Sequence, residues 1–131
     1  MSLSLVHARI ADSSALFIAI LGIWALVQAI RARALDGNWF GAAVIAELLL
    51  IAQVMIGILL YFQGQLGALP RPIIHILYAA VAILTLPAAN AYFGNMDDDR
   101  VKSLAMFFAC LFLWGIVLRA SSVAQFLPPG L

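Results

Sequence analysis

Charged residues are scarce in this sequence, and their scarcity excludes an ordinary soluble fold. Of 131 residues, 10% are charged and 66% are hydrophobic, whereas soluble domains average about 25% charged residues. The mean hydropathy is +1.09. Because a soluble domain of this length could not cover so much apolar surface, we expect the lipid bilayer as its surroundings. The net charge of +1 gives no basis for nucleic-acid binding.

The sequence also lacks a second cysteine. Cys110 is the only one, which excludes an internal disulfide and a cysteine-rich metal site. It stands among Phe and Leu residues, where we expect it to be buried packing. A convincing cleavable signal is missing too, because no cationic stretch precedes the first apolar run. The first apolar helix is therefore expected to be retained.

Four long apolar segments organise the chain, and each is long enough to cross a hydrocarbon core of about 30 Å. Short turns rich in Gly, Pro, Asp and Asn separate them, and such turns make consecutive helices antiparallel. We therefore predict a single all-α domain over 1–131, an up-down-up-down bundle of four transmembrane helices. The predicted helices span about 5–30, 39–63, 72–92 and 101–122.

The distribution of Lys and Arg indicates an orientation. The first and third turns carry four cations, against three at the other end of the bundle. Since cytoplasmic loops are richer in Lys and Arg, both termini are expected on the outer face of a cell inner or plasma membrane. The first group is Arg31, Arg33, Arg100 and Lys102, and the second is Arg9, Arg71 and Arg119.

The two histidines are the residues best suited to bind a metal. His7 and His75 each lie near the start of a helix, and these two helices run parallel at diagonal corners of the predicted bundle. The diagonal is roughly 11–14 Å if neighbouring axes are 8–10 Å apart. That gap suits a flat macrocycle held by one imidazole on each face, as in a b-type haem. A bacteriochlorophyll, which needs one histidine per pigment, is the other candidate pigment. Either histidine could instead be an interfacial polar residue.

Other residues fall at the same predicted depth. Arg9, Arg71 and Arg119 could pair with haem propionates, or could reach lipid headgroups instead. Gly57 and Gly115 lie about two turns from the ends of the second and fourth helices. A missing side chain would let a macrocycle approach the backbone, although small residues also serve as helix contacts.

Glu47 is an ionisable residue well inside the second apolar segment. A charge at this depth is costly, so the side chain should face the protein interior or be neutral. A buried hydrogen bond to another helix and a proton-carrying role are the two explanations that we retain.

Three groups of residues follow one another along the chain: His7-x-Arg9-x-Ala11, Gln53-Val54-x-x-Gly57, and Pro70 or Pro72 followed by His75 and Ala79. Their order resembles one half of haem A synthase, over roughly the first three helices. The family is similar to two fused four-helix bundles, each with paired histidines on alternate helices that bind haem. The resemblance implies that His7 and His75 are axial ligands and that Gln53 and Gly57 line the wall of the second helix.

The sequence departs from that family at two positions. Ser4 and Ala8 stand where the family has a carboxylate and an arginine, and the carboxylate is linked to oxidation of the haem methyl group. The leading hypothesis is therefore a membrane cytochrome-like protein that transfers electrons as a subunit of a respiratory or photosynthetic complex. A cofactor-free accessory subunit is the second hypothesis. A half-length haem A synthase-like enzyme working as a homodimer is the third.

Overall fold

The computed structural model describes residues 3–64 and 72–123, and these form four helices. The helices are α1 (Leu3–Ile30), α2 (Gly37–Phe62), α3 (Pro72–Phe93) and α4 (Asp99–Val123). Each boundary lies within two residues of its predicted position, so the four-helix prediction is confirmed.

The surface of the bundle is apolar, as a bilayer requires. All four helices contain spans of 21–26 residues with a mean hydropathy between 1.8 and 2.5. Large apolar side chains point outward along these spans; Leu16, Ile23 and Leu84 are each more than 60% exposed. Lipid rather than water suits such a surface. The chain is a multi-pass integral membrane protein.

The helices pack as a ring in which α1 and α3 occupy diagonal corners. α1 makes its most extensive contact with α4, while α4 also packs on α3 and α1 on α2. The contact between α2 and α3 is the slightest of the four neighbouring pairs. The predicted antiparallel order is confirmed, and the α2–α3 side is the loosest part of the ring.

Small side chains let α1 and α4 approach closely. A Cβ atom added to Gly22 would lie 3.3 Å from the Cβ of Cys110. Buried Ala15 and Ala25 extend this small-residue surface along α1. Cys110 is 1% exposed, so its predicted role in packing is confirmed. Small-residue surfaces of this kind drive helix association in membranes, because they bring large numbers of atoms into van der Waals contact.

Hydrogen bonds between helices fix the half of the bundle that contains the first and third turns. The indole Nε1 of Trp39, a fully buried residue, donates to the carbonyl of Leu21 at 3.1 Å. The Ser103 hydroxyl donates to the carbonyl of Arg33 at 2.7 Å, and Arg100 Nε donates to that of Ala29 at 3.2 Å. Together these bonds hold α2 and α4 against α1.

Replacing Gly22 by leucine should separate α1 from α4, because the Cβ position is already in tight contact with Cys110. We expect a loss of about 1–3 kcal/mol, the usual range for overpacking. Unfolding of the purified protein in mixed detergent micelles measures the change. Gly41→Leu is the matched control, since nothing lies within 4 Å of a Cβ at Gly41. Equal loss in both variants would contradict the close packing.

Candidate functional site

His7 and His75 meet at one end of the bundle, which we call the histidine end. Their ring centroids are 6.2 Å apart and the ring planes make an angle of 66°. His7 lies on the second turn of α1 and His75 on the first turn of α3, so both rings sit at the same depth, as helix polarity predicted. Both side chains are half-buried.

The separation of the two rings suits a shared metal. Two imidazoles that bind one metal ion from opposite sides have ring centres roughly 6 Å apart, since each metal–nitrogen bond is about 2 Å long and each ring centre lies about 1 Å behind its nitrogen. A separation of 6.2 Å at 66° is also an edge-to-face ring contact. The two rings therefore touch at a spacing that a shared metal ion would also need.

The C-terminal part of α4 orients His75. Its ring nitrogen Nδ1 lies 3.1 Å from the carbonyl oxygen of Ala120. A carbonyl only accepts, so Nδ1 carries the proton and donates. Nε2 of the neutral ring is then left with its lone pair. Metal-binding histidines commonly have this arrangement, in which a backbone carbonyl fixes the ring and its tautomer.

α2 forms the wall against which His7 packs. A Cβ atom at Gly57 would lie 3.6 Å from Cε1 of His7, and the main-chain carbonyl of Gln53 lies beside the same ring. His7 Nδ1 is buried and makes no hydrogen bond. The Gln53 carbonyl and the backbone at Gly57 therefore both place this ring, and a buried nitrogen remains for a bound group or a water molecule to satisfy.

The other predicted site residues are distributed unevenly. Gln53 and Gly57 lie beside His7 as expected. Gly115 is exposed, with nothing within 4 Å of a Cβ at that position. Arg9 and Arg119 are exposed at the histidine end, while Arg71 lies outside the described residues.

Two participants were not identified from the sequence. The carbonyl of Ala120 belongs to the main chain, so its residue type carries no signal. Ser14 lies two turns after His7 on the same face of α1, is fully buried, and its hydroxyl has no hydrogen-bond partner. Its spacing from His7 is the signal that could have revealed it.

A groove of about 720 Å³ lies between α3 and α4, and its lining includes Leu84, Phe93, Leu104 and Phe112. Neither histidine lines it. Its walls are apolar, so lipid chains can fill it, and it is separate from the histidine pair.

Comparisons of the chain with protein-family models, with curated protein sequences and with solved structures gave no match. The resemblance to haem A synthase therefore stays a prediction from the sequence pattern. Within residues 3–64 and 72–123, no group of three or more His, Cys, Asp and Glu side chains could hold a metal ion. The histidine pair offers two imidazoles.

Imidazole nitrogen NMR tests the orientation of His75. The chain contains two histidines, so histidine labelled with ¹⁵N gives two sets of signals, and a His7→Gln variant assigns them. We expect the His75 signals to show a proton on Nδ1, because Ala120 accepts a hydrogen bond there. A ring protonated on Nε2 alone would contradict this geometry.

Proposed function

We propose that this protein is a membrane cytochrome-like protein that binds one b-type haem between His7 and His75 and transfers electrons. The observation that carries the proposal is the 6.2 Å separation of the two rings. We further propose that it works as a subunit of a respiratory or photosynthetic complex, with the histidine end on the outer side of a cell inner or plasma membrane.

Two imidazoles favour a macrocycle over a bare metal ion. Protein zinc sites use three or four protein ligands, whereas a porphyrin supplies four nitrogens of its own and needs only axial ligands. His75 offers Nε2, because its other nitrogen is engaged by Ala120. His7 is held against α2 by packing on Gly57. The donor set therefore fits a haem with one histidine on each face.

The ring separation also distinguishes one shared group from two pigments. If each histidine bound its own bacteriochlorophyll in a stacked pair, the ring centres would be roughly 10 Å apart, since stacked macrocycles add about 3.5 Å of van der Waals separation. The observed 6.2 Å is too short for that arrangement. One group between two ligands is the better fit.

The surrounding helices leave room for such a group between α2 and α3 and place two arginines near it. α2 and α3 make the slightest contact of the neighbouring helices, so a flat ring extending from between the histidines would pass most easily on this side. Arg9 and Arg119 lie exposed at the same end, where guanidinium groups can bind propionates at the headgroup level. Within the membrane, Gly57 leaves the ring of His7 unobstructed.

His7 and His75 would hold the haem, and the haem would supply a reversible one-electron couple. A haem held by two protein ligands is typical of electron-carrying cytochromes. These features support electron transfer as the function, rather than chemistry on a bound small molecule.

Absorption spectroscopy tests haem binding. We expect purified protein titrated with haemin to give one saturating Soret band and the electron paramagnetic resonance signal of low-spin ferric haem. His7→Ala and His75→Ala should each abolish that signal, since each removes one axial ligand. Asn90→Ala, an exposed polar residue at the opposite end, is the control and should bind haemin normally.

Several outcomes would overturn this function. A folded protein that stays colourless with haemin would instead support a cofactor-free accessory subunit. Unchanged spectra in either histidine variant would place any haem elsewhere. Conversion of the added haem to a more oxidised haem would support a haem A synthase-like enzyme.

The two glycines provide a matched pair for the same assay. Gly57→Leu should lower haemin affinity at least about tenfold, because a side chain there displaces the His7 ring, which lies 3.6 Å from the Cβ position. Gly115→Leu should leave affinity unchanged, since its Cβ position faces open space. Equal effects from the two substitutions would show that Gly57 does not shape the site.

A further inference from the structure

Four buried polar atoms in the described part of the chain have no hydrogen-bond partner, and all four belong to α1 and α2. They are His7 Nδ1, Ser14 Oγ, Gln53 Oε1 and Glu47 Oε2. Native proteins leave few buried polar atoms unpaired, and water or an ion commonly accounts for them. Four such atoms on one pair of helices call for a shared explanation.

The helix register places these groups at successive depths in the membrane. His7 on α1 lies level with Gly57 on α2. Because the two helices are antiparallel, each step to a higher residue number on α1 is level with one step to a lower residue number on α2. Gln53 then lies about 6 Å deeper than His7, at 1.5 Å per residue. Ser14 follows about 4.5 Å deeper and Glu47 about another 4.5 Å.

One water molecule can span each of these steps. Two hydrogen bonds through a single water cover roughly 5–6 Å, given about 2.8 Å per bond. Buried waters typically bind two to four polar groups each. From the histidine end to the middle of α2, the levels of the four residues are thus separated by steps of about the length that one water bridges.

Beyond Glu47 the series of unpaired polar atoms ends. Leu21, Ala25 and Ala46 are apolar there and fully or almost fully buried. The indole of Trp39 is buried too, and its Nε1 is already bonded to the carbonyl of Leu21. Among the described residues the series therefore starts at the histidine end and stops at Glu47.

We propose that Glu47 is a proton-binding carboxyl in the middle of the membrane, reached only from the histidine end through Gln53, Ser14 and His7. The carboxylate takes one proton from hydronium in the aqueous phase, leaving water, and the same path returns it. Proton relays are the usual reason for an ionisable residue at this depth. This inference does not depend on bound haem.

The neighbouring charged groups do not neutralise Glu47 in another way. α2 packs against α1 and α3, and Arg9 and Asp12 on α1 are exposed. Glu47 Oε2 is buried without a partner. The charged and titratable side chains on the described parts of these two helices are His7, Arg9, Asp12, His75, Tyr78 and Tyr92.

Infrared spectroscopy can observe this one carboxyl, because Glu47 is the only glutamate in the chain. The protein is prepared without haem, labelled with ¹³C-glutamate and placed in lipid nanodiscs. We expect a ¹³C-shifted carbonyl band of a protonated carboxylic acid, which moves on transfer to ²H₂O and is missing in Glu47→Gln. Its complete absence from the wild type would overturn the proposal.

The route is tested by the rate of that isotope exchange. Ser14→Ala and Gln53→Leu should each slow exchange by about tenfold or more, because a bridging water then loses a partner. Thr85→Val is the matched control, since the Thr85 hydroxyl is on α3 and already donates to Val81 at 2.7 Å. Unchanged rates in both path variants, or equal slowing in Thr85→Val, would show that protons reach Glu47 by another route.

Discussion

The close contact between α1 and α4 determines how the rest of the bundle is arranged. A Cβ at Gly22 would lie 3.3 Å from the Cβ of Cys110. α4 therefore lies directly beside α1, and α3 packs on the other side of α4. This order puts α1 and α3 at diagonal corners. It also brings the Ala120 carbonyl of α4 to the ring of His75. The geometry of the histidine pair thus depends on the close packing of α1 against α4.

Much of this architecture could be predicted from the sequence, because a bilayer leaves few alternatives. Helix number and length follow from apolar segments of sufficient length, and antiparallel order follows from short turns. The matching depth of His7 and His75 follows from helix polarity alone. These predictions use the position of residues along the chain and require no knowledge of helix rotation.

The sequence did not predict how each helix is rotated about its own axis, and so which of its faces is buried. Gly57 and Gly115 have equivalent predicted depths, yet one faces His7 and the other faces open space. In a helix that is apolar on all sides, hydrophobic periodicity does not mark the buried face. The main-chain partner of His75 was invisible for a related reason, since any residue at position 120 would present the same carbonyl.

The interfaces of α1 differ in chemistry, and the difference bears on function. Its contact with α4 brings Gly22 close to Cys110, whereas the polar atoms without partners belong to residues of α1 and α2. In a membrane, burying such atoms without hydrogen bonds costs free energy. Apolar residues of similar size would pack there without that cost.

The two halves of the bundle are also held differently. Among the described residues, side-chain hydrogen bonds from Trp39, Arg100 and Ser103 join helices in the half that contains the first and third turns. At the histidine end, His75 of α3 bonds to the carbonyl of Ala120 on α4. The first set of bonds keeps α2 and α4 in register with α1, while the bond at the histidine end aligns α3 with α4.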